Sequence, residues 1–266
     1  MRVIFPFNPA KPTEADGPFQ QEHQILLSLG VSCSLFDYDQ IDSGVLFIKP
    51  TIIKSESVLY RGWMLEPSAY DKLSIIIEQL EGKMFTPPLH YLRSHHLPGW
   101  YDACKEYTAE TIFLDNTHNI TKVANDLGWD RFFVKDYVKS NYNERGSIAH
   151  KPSEIIEILE QIEKHRGSIE GGISLRKVEE YLLETEQRYF VVKGKAYSED
   201  GIVPDLVHDI VAQHQAPFYS IDMIQRSDGV ARLIEIGDGQ VSDIKSWDSK
   251  VFCQMLAENL IKNTVP

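Results

Sequence analysis

The sequence predicts a protein of mixed α/β and α+β class: a small open α/β unit at the N-terminus, followed by a larger α+β part. Three observations carry this. Strand-like and helix-like patterns alternate from the first residues. There is no internal repeat and no low-complexity tract. The chain has 266 residues, 42% hydrophobic and 25% charged, enough for one large domain or two small ones, each with its own core.

The elements follow in order. Arg2 to Phe7 reads as a first, buried strand. Phe19 to Leu29 reads as a helix closed by Gly30 in a left-handed cap. Val31 to Phe36 and Val58 to Trp63 read as strands. Pro67 to Leu80 is predicted helical from Tyr70, Leu73, Ile76, Ile77 and Leu80 at three- and four-residue spacing. Met84 and Phe85 begin a short strand that ends at Pro87-Pro88. The stretch His90 to Trp100, HYLRSHHLPGW, reads as a connection. Its His90, His95 and His96 match no common ligand spacing and have no neighbouring acid or thiol in sequence, so they are expected to be solvated or capping. Two edge-like segments follow, then a strand Phe132 to Ser140. A polar loop leads to a helix from Pro152-Ser153 to about His165, ended by Gly167. Gly171 to Gly201 reads as two strands, kinked at Leu183 to Thr185, and a hairpin turning at Lys193-Gly194. Pro204 to His214 is an amphipathic helix, Tyr219 to Ile236 a hairpin turning at Arg226 to Gly229, and Asp248 to Ile261 the last helix. The expected division is residues 1–92 and residues 93–266.

Composition excludes several classes. Thirty-nine acidic against 27 basic residues give a formal net charge of −12, which repels a phosphate backbone and disfavours general nucleic-acid binding. Cys33, Cys104 and Cys253 are far apart and odd in number, so they make neither a disulfide framework nor a zinc ribbon and fit a reducing compartment. No apolar run reaches the roughly 18 residues of a membrane span, and the N-terminal one is broken by Pro6 and Asn8. The expected location is the cytoplasm, with no membrane partner. Neither the Walker pattern nor GxGxxG occurs.

Three constellations carry chemistry. In the last hairpin, a loop of two or four residues sets Asp222 and Glu235 on one face as diagonal neighbours, where two carboxylates suit a hard divalent cation, with Asp238 and Gln240 next along the chain as oxygen donors. A three-residue loop sends one carboxylate to the other face. The bland alternative is two half-exposed acids. Second, Lys135 and Lys139 share a face of an otherwise apolar strand, and an ammonium there wants an anion such as phosphate; a strand edge protected by lysines is the equal alternative. Third, Val178 to Val192 carries Glu179, Glu180, Glu186 and Arg188, suited to ribose hydroxyls and a terminal phosphate, or to a surface ion pair worth little.

Together, in this order and spacing, the three resemble the ATP-grasp superfamily from Phe132 to Ser242. More narrowly, YRGWML (Tyr60 to Leu65), FVKDYVKS, the ExR of Glu186 to Arg188 and IEIGDGQVS (Ile234 to Ser242) resemble the divergent clade named for one arginine and two lysines, which also contains the eukaryotic protein that assembles translation initiation factor two. The resemblance implies an ATP-grasp fold of two α+β lobes holding ATP and magnesium. It implies Lys135 on the α- and β-phosphates with Lys139 as the other lysine. Glu179, Glu180, Tyr181 and Leu182 would lie at the adenine hinge and Glu186 at the ribose. Arg188 would reach the γ-phosphate, and Asp222 and Glu235 would bind magnesium. The family's last metal-binding asparagine is replaced here by Gly237, with Asp238 one residue on as the substitute. Arg61 of YRGW is the candidate for the clade's arginine. The implied activity is ATP- and magnesium-dependent ligation, an amide bond formed through an acylphosphate on a peptide, protein or small molecule. Two other readings stand beside it. One is an ATP-loaded assembly factor with little or no turnover. The other is a metal-dependent hydrolase built on Asp222, Glu235 and the histidines, which leaves Lys135, Glu186 and Arg188 without a task.

Overall fold

The computed structural model of the chain describes residues 1–138 and 146–261. The chain forms two compact units: one of residues 1–92, 188–220 and 238–266, the other of residues 93–187 and 221–237. Residues 93–266 do not make one unit, because residues 188–220 and 238–266 pack with residues 1–92.

The first unit is built on β1 (Arg2–Asn8), β2 (Lys11–Ala15), α1 (Gln20–Ser28), β3 (Ser32–Phe36), β4 (Ile48–Lys49), β5 (Ser57–Tyr60), α2 (Pro67–Gln79) and β6 (Lys83–Met84). The sheet order is β4-β3-β1-β5-β6, with β2 on β1. The β1–β3, β1–β5 and β5–β6 pairs are parallel, the geometry that crossover helices require, while β4 lies antiparallel on β3. β1 is a continuous apolar run because both faces of the sheet are covered. Val3, Phe5, Cys33 and Leu59 face the core shared with Leu26, Phe252, Leu256 and Leu260. Ile4, Phe36, Val58 and Tyr60 face Tyr70, Leu73, Ile76 and Ile77. Gly30 takes the predicted left-handed conformation, φ +79°.

The second unit begins with α3 (Pro88–His95), which starts just before it, and continues with α4 (Pro98–Cys104), β7 (Thr111–Leu114), α5 (Ile120–Leu127), β8 (Phe132–Asp136), β9 (Ile148–Ala149), α6 (Ile155–Arg166) and β10 (Ile173–Lys177). The order β7-β10-β8-β9 is wholly antiparallel. Phe132, Val134, Ile173 and Leu175 pack with Ile155, Ile158, Leu159 and Ile162 of α6. Two expectations change here. The HYLRSHHLPGW connection is two short helices, each opened by a proline whose missing N–H costs nothing in a first turn. One edge-like segment is α5, closed by Gly128 at φ +64°.

The remaining elements are β11 (Tyr181–Val192), β12 (Lys195–Tyr197), α7 (Asp205–Gln213), β13 (Phe218–Arg226), β14 (Ala231–Asp238) and α8 (Ser249–Leu260), with sheet order β12-β11-β13-β14. The kink expected at Leu183 to Thr185 is absent: β11 is continuous. The β11–β12 turn is Lys193-Gly194, with φ +50° and +78° in a two-residue loop. Asp248 caps α8, its Oδ1 accepting from Lys250 N at 2.8 Å.

Cys33, Cys104 and Cys253 are buried free thiols. Burial pushes Cys33 and Cys253 up to about 12 and Cys104 up to about 11. Among the described residues no helix is long and apolar enough to cross a membrane.

Candidate active site

β8 alternates between two surroundings. Phe132 and Val134 enter the core under α6. Lys135 follows Val134 on the strand and therefore projects from the other face. A buried ammonium needs a partner, and Lys135 Nζ donates to Glu235 Oε1 at 2.6 Å. Lys135 is itself 4% exposed. On β10, Ser174 pairs with Lys135 and Arg176 with Phe133, so Arg176 shares the Lys135 face. Arg176 Nη1 donates to the Ile234 carbonyl at 2.7 Å and its Nε to Thr111 Oγ1 at 3.2 Å. Burial pulls its pKa down against the raising pull of Glu235. Two buried cations thus meet around Glu235. The sequence reading missed Arg176; the signal was a charged residue inside ISLRK, where an apolar one was expected.

The β13–β14 hairpin departs from the loop lengths that put both acids on one face. Arg226 N donates to Val230 O and Gly229 N to Arg226 O, both at 2.8 Å, and Gly229 has φ +87°. This is a three-residue loop with a glycine bulge. Carried along the strands, its register sets Asp222 against Ile234 and sends Glu235 to the opposite face. At the far end Gly239 N donates to Phe218 O at 3.2 Å, one residue out of step. In that register Asp222 opposes Glu235. The ladder therefore takes up one extra residue between its ends, a β-bulge. The bond from Arg176 to the Ile234 carbonyl, outside the ladder, sits next to Glu235. Asp222 is 2% exposed. Carboxylate oxygens of this kind suit magnesium.

The hinge acids have partners of their own. Glu179 accepts from Arg232 Nε at 3.0 Å, from Arg226 Nη1 at 3.3 Å and from the Tyr181 hydroxyl at 2.9 Å. Burial raises its pKa, but the bonds from Arg232 and Tyr181 prevail and leave it below its usual value. Burial, then Glu179, raises Tyr181. Glu179 lines a polar cavity of about 490 Å³ with Lys105, Lys177, Arg226 and Arg232. Glu180 pairs with Arg131. Leu182 and Glu186 are exposed on β11. Lys139 lies outside the described residues.

Three expected site residues belong to the first unit, and their surroundings give them work inside the fold. Arg61 is 1% exposed. Its Nε and Nη2 donate to Glu22 at 2.7 and 2.8 Å, and Nη1 donates to the carbonyls of Gln240 at 3.1 Å and Ser242 at 2.5 Å. It also lies over Phe252, 5.1 Å from the ring centroid. A guanidinium bound in this way inside the core ties Glu22 to the Gln240 and Ser242 carbonyls as a structural clamp, a task that stands beside the catalytic one expected of it. Asp238 is fully buried, its Oδ1 accepting from Gln240 N at 2.9 Å and Nε2 at 3.1 Å. Burial pushes it up to about 7, offset in part by those bonds. Its Oδ1 serves the turn into Gln240, while its Oδ2 is buried without a hydrogen-bond partner. Arg188 is buried and donates to the Asp243 carbonyl at 2.6 Å and to the Asp243 carboxylate.

The histidine connection also differs from expectation, because folding supplies the acid that the local sequence lacks. His95 Nε2 and His96 Nε2 lie 3.3 and 2.9 Å from Glu170 Oε1. Burial raises the Glu170 carboxyl, but the bonds from both histidines hold it down at about 2.

A family model described as an ATP-grasp domain, R2K clade family 3, matches residues 126–256. No curated protein matches the sequence. Among solved structures, the D-cycloserine synthetase DcsG is 12% identical with a TM-score of 0.66, covering 98% of this chain and 100% of its own. A RimK domain ATP-grasp protein from Sphaerobacter thermophilus is 11% identical, TM-score 0.63, covering 98% and 100%. The macrocyclase MdnC from Microcystis aeruginosa, bound with precursor peptide MdnA, is 13% identical, TM-score 0.60, covering 97% and 99%. At these identities the likeness is one of fold.

Proposed function

Because residues 126–256 form an ATP-grasp domain of the R2K clade, we propose that the chain is an ATP- and magnesium-dependent ligase that joins a carboxylate to an amine through an acylphosphate. The observation that carries this is the buried Lys135–Glu235 pair at 2.6 Å with Arg176 beside it. In the absence of ligand, Glu235 satisfies Lys135. A nucleotide's phosphates offer Lys135 a stronger anion, and a divalent cation offers Glu235 a stronger positive partner. Exchanging the one ion pair for two ligand contacts leaves no buried charge alone, so the arrangement suits both ligands arriving together.

Lys135 and Arg176 hold phosphate oxygens by charge, and Asp222 and Glu235 hold magnesium, whose chemistry is to neutralise charge on the transferring phosphoryl group. Phosphoryl transfer needs positioning and electrostatics from the protein and no protein nucleophile. The backbone at Tyr181 and Leu182 meets the adenine edge and Glu186 the ribose. The acceptor belongs to the range seen in the fold's relatives, among them a peptide macrocyclase and D-alanyl-alanine synthetase A.

The test is ATP consumption with product analysis. ADP and phosphate, stimulated by a carboxylate and an amine substrate, are the expected products; AMP and pyrophosphate would refute the acylphosphate route. Binding of ATP with magnesium should raise the melting temperature, and more than GTP does. No shift at millimolar ATP would overturn the assignment. Tight ATP binding without turnover on any acceptor pool would point to the assembly-factor reading.

A further inference from the structure

We propose that His95, His96 and Glu170 form a transition-metal site, with zinc the best-suited ion, independent of the ATP chemistry above. The two imidazole Nε2 atoms converge on one carboxylate oxygen, at 3.3 Å and 2.9 Å. All three donor atoms lie within 4.8 Å of one another. With metal–nitrogen and metal–oxygen bonds of about 2.0–2.1 Å, the donor–donor edge of a tetrahedral site is about 3.3 Å. The two nitrogen–oxygen separations, 3.3 and 2.9 Å, are within a few tenths of an ångström of that edge. A metal needs only a small outward shift of the carboxylate, not a new fold of the chain.

The donor set is chemically selective. Two imidazoles and one carboxylate are a set zinc uses when its fourth position stays open. Imidazole nitrogen discriminates against magnesium, which prefers oxygen. Magnesium is therefore expected at Asp222 and Glu235, and zinc at the histidines, in the same unit without exchange.

The three donors are held by backbone. Tyr137 N donates to the Glu170 carbonyl at 3.2 Å, and Leu97 N to the Tyr137 carbonyl at 2.8 Å. Glu170 and the residue after His96 are thus tied through one residue at the end of β8. The His95 and His96 rings are stacked at 5.4 Å with a 28° interplanar angle, and both Nε2 atoms approach Glu170 Oε1. Gly171 follows Glu170 with φ +77°. A Cβ there would come within 2.7 Å of the Tyr137 ring and 3.0 Å of His96 Cε1. Glycine lets the loop lie against the histidine ring and bring the carboxylate in. The side chains of His96 and Glu170 keep 13% and 12% exposure, enough for an ion to reach them, while His95 at 3% fixes the inner corner.

The experiment uses full-length, tag-free protein treated with a chelator and then titrated with Co²⁺ as the visible probe and Zn²⁺ as competitor. One equivalent of Co²⁺ should bind with the strong visible absorption of low-coordinate cobalt, and one equivalent of Zn²⁺ should bleach it. Mg²⁺ in excess should not. His96→Ala and Glu170→Gln should each abolish the absorption while circular dichroism stays native. Because Gln is nearly isosteric with Glu and His96 is partly exposed, both variants are expected to fold even if His95→Ala does not. Absence of the cobalt absorption in the wild type would overturn the proposal, as would its persistence in both folded variants. In either case the cluster would be a hydrogen-bonded brace only.

Discussion

Arg61 is the residue whose structural task has the largest measurable consequence. Arg61→Met keeps an unbranched side chain but removes the guanidinium, which lies over the Phe19 and Phe252 rings. Glu22, 4% exposed, then loses both of its short bonds, and the Gln240 and Ser242 carbonyls lose a donor. Removing one member of a buried ion pair costs about 3–5 kcal/mol. Against a total stability of about 5–15 kcal/mol, that is a third or more of what holds a marginal protein folded. Urea unfolding, followed by fluorescence and by far-ultraviolet circular dichroism, should show a large drop in midpoint. The double variant Arg61→Met with Glu22→Leu removes both charges and should recover much of the loss, because a buried pair replaced by apolar groups is often neutral. The carbonyls remain unpaired in the double variant, so recovery is incomplete, short by about 1–3 kcal/mol. An Arg61→Met protein with wild-type stability but no ATP turnover would refute the clamp and leave Arg61 to the chemistry alone.

Three further outcomes follow from the site. Lys135→Ala should weaken ATP by roughly tenfold or more, the equivalent of a charge-assisted bond of about 1.5–3 kcal/mol, and leave adenosine binding nearly unchanged; equal losses for both ligands would make Lys135 a support of the fold. Asp222→Asn and Glu235→Gln should abolish magnesium-dependent turnover while ATP binding without magnesium survives. Glu235→Gln should in addition lower the melting temperature of the ligand-free protein, because it strips Lys135 of its ion-pair partner; an unchanged melting temperature would mean the pair contributes nothing. Asp238 has a folded pKa near 7, above its ordinary 3.8. The unfolded chain therefore releases its proton first, so the stability this group contributes is fully present below about pH 4, is lost as the pH rises to about 7, and changes no further above that. At about 1.4 kcal/mol per unit the full effect is roughly 4 kcal/mol, and Asp238→Asn should flatten that slope; a slope that persists in the variant would assign it to another group.

Much of the fold was legible in local pattern. The strand at Arg2, the helix at Pro67 and the caps at Gly30 and Gly167 follow from periodicity and glycine alone. What the sequence concealed depends on contacts made across long separations. Nothing near His95 and His96 announces Glu170, 74 residues away, because the three meet only when α3 and the loop before β10 fold together. Arg61 looked free for chemistry because YRGW does not reveal Glu22 or the Ser242 carbonyl. The hairpin and its acids were legible but not their register: Gly229 permits a three-residue loop, and the offset toward Phe218 is a property of the paired strands. Arg176 was overlooked because one cation in an apolar strand gives no periodic signal.

The three buried thiols give the molecule built-in reporters of local opening. Cys33 and Cys253 sit in the unit formed by residues 1–92, 188–220 and 238–266, and Cys104 in the other. Only thiolate reacts with an alkylating probe, and burial holds all three protonated, so modification requires exposure first. Pulse labelling followed by peptide mass analysis therefore clocks each unit separately in a single tube. If added ATP and magnesium slow labelling at Cys104 without changing Cys33, the ligands stabilise the unit that carries Lys135, Asp222 and Glu235, and the rate ratio measures by how much.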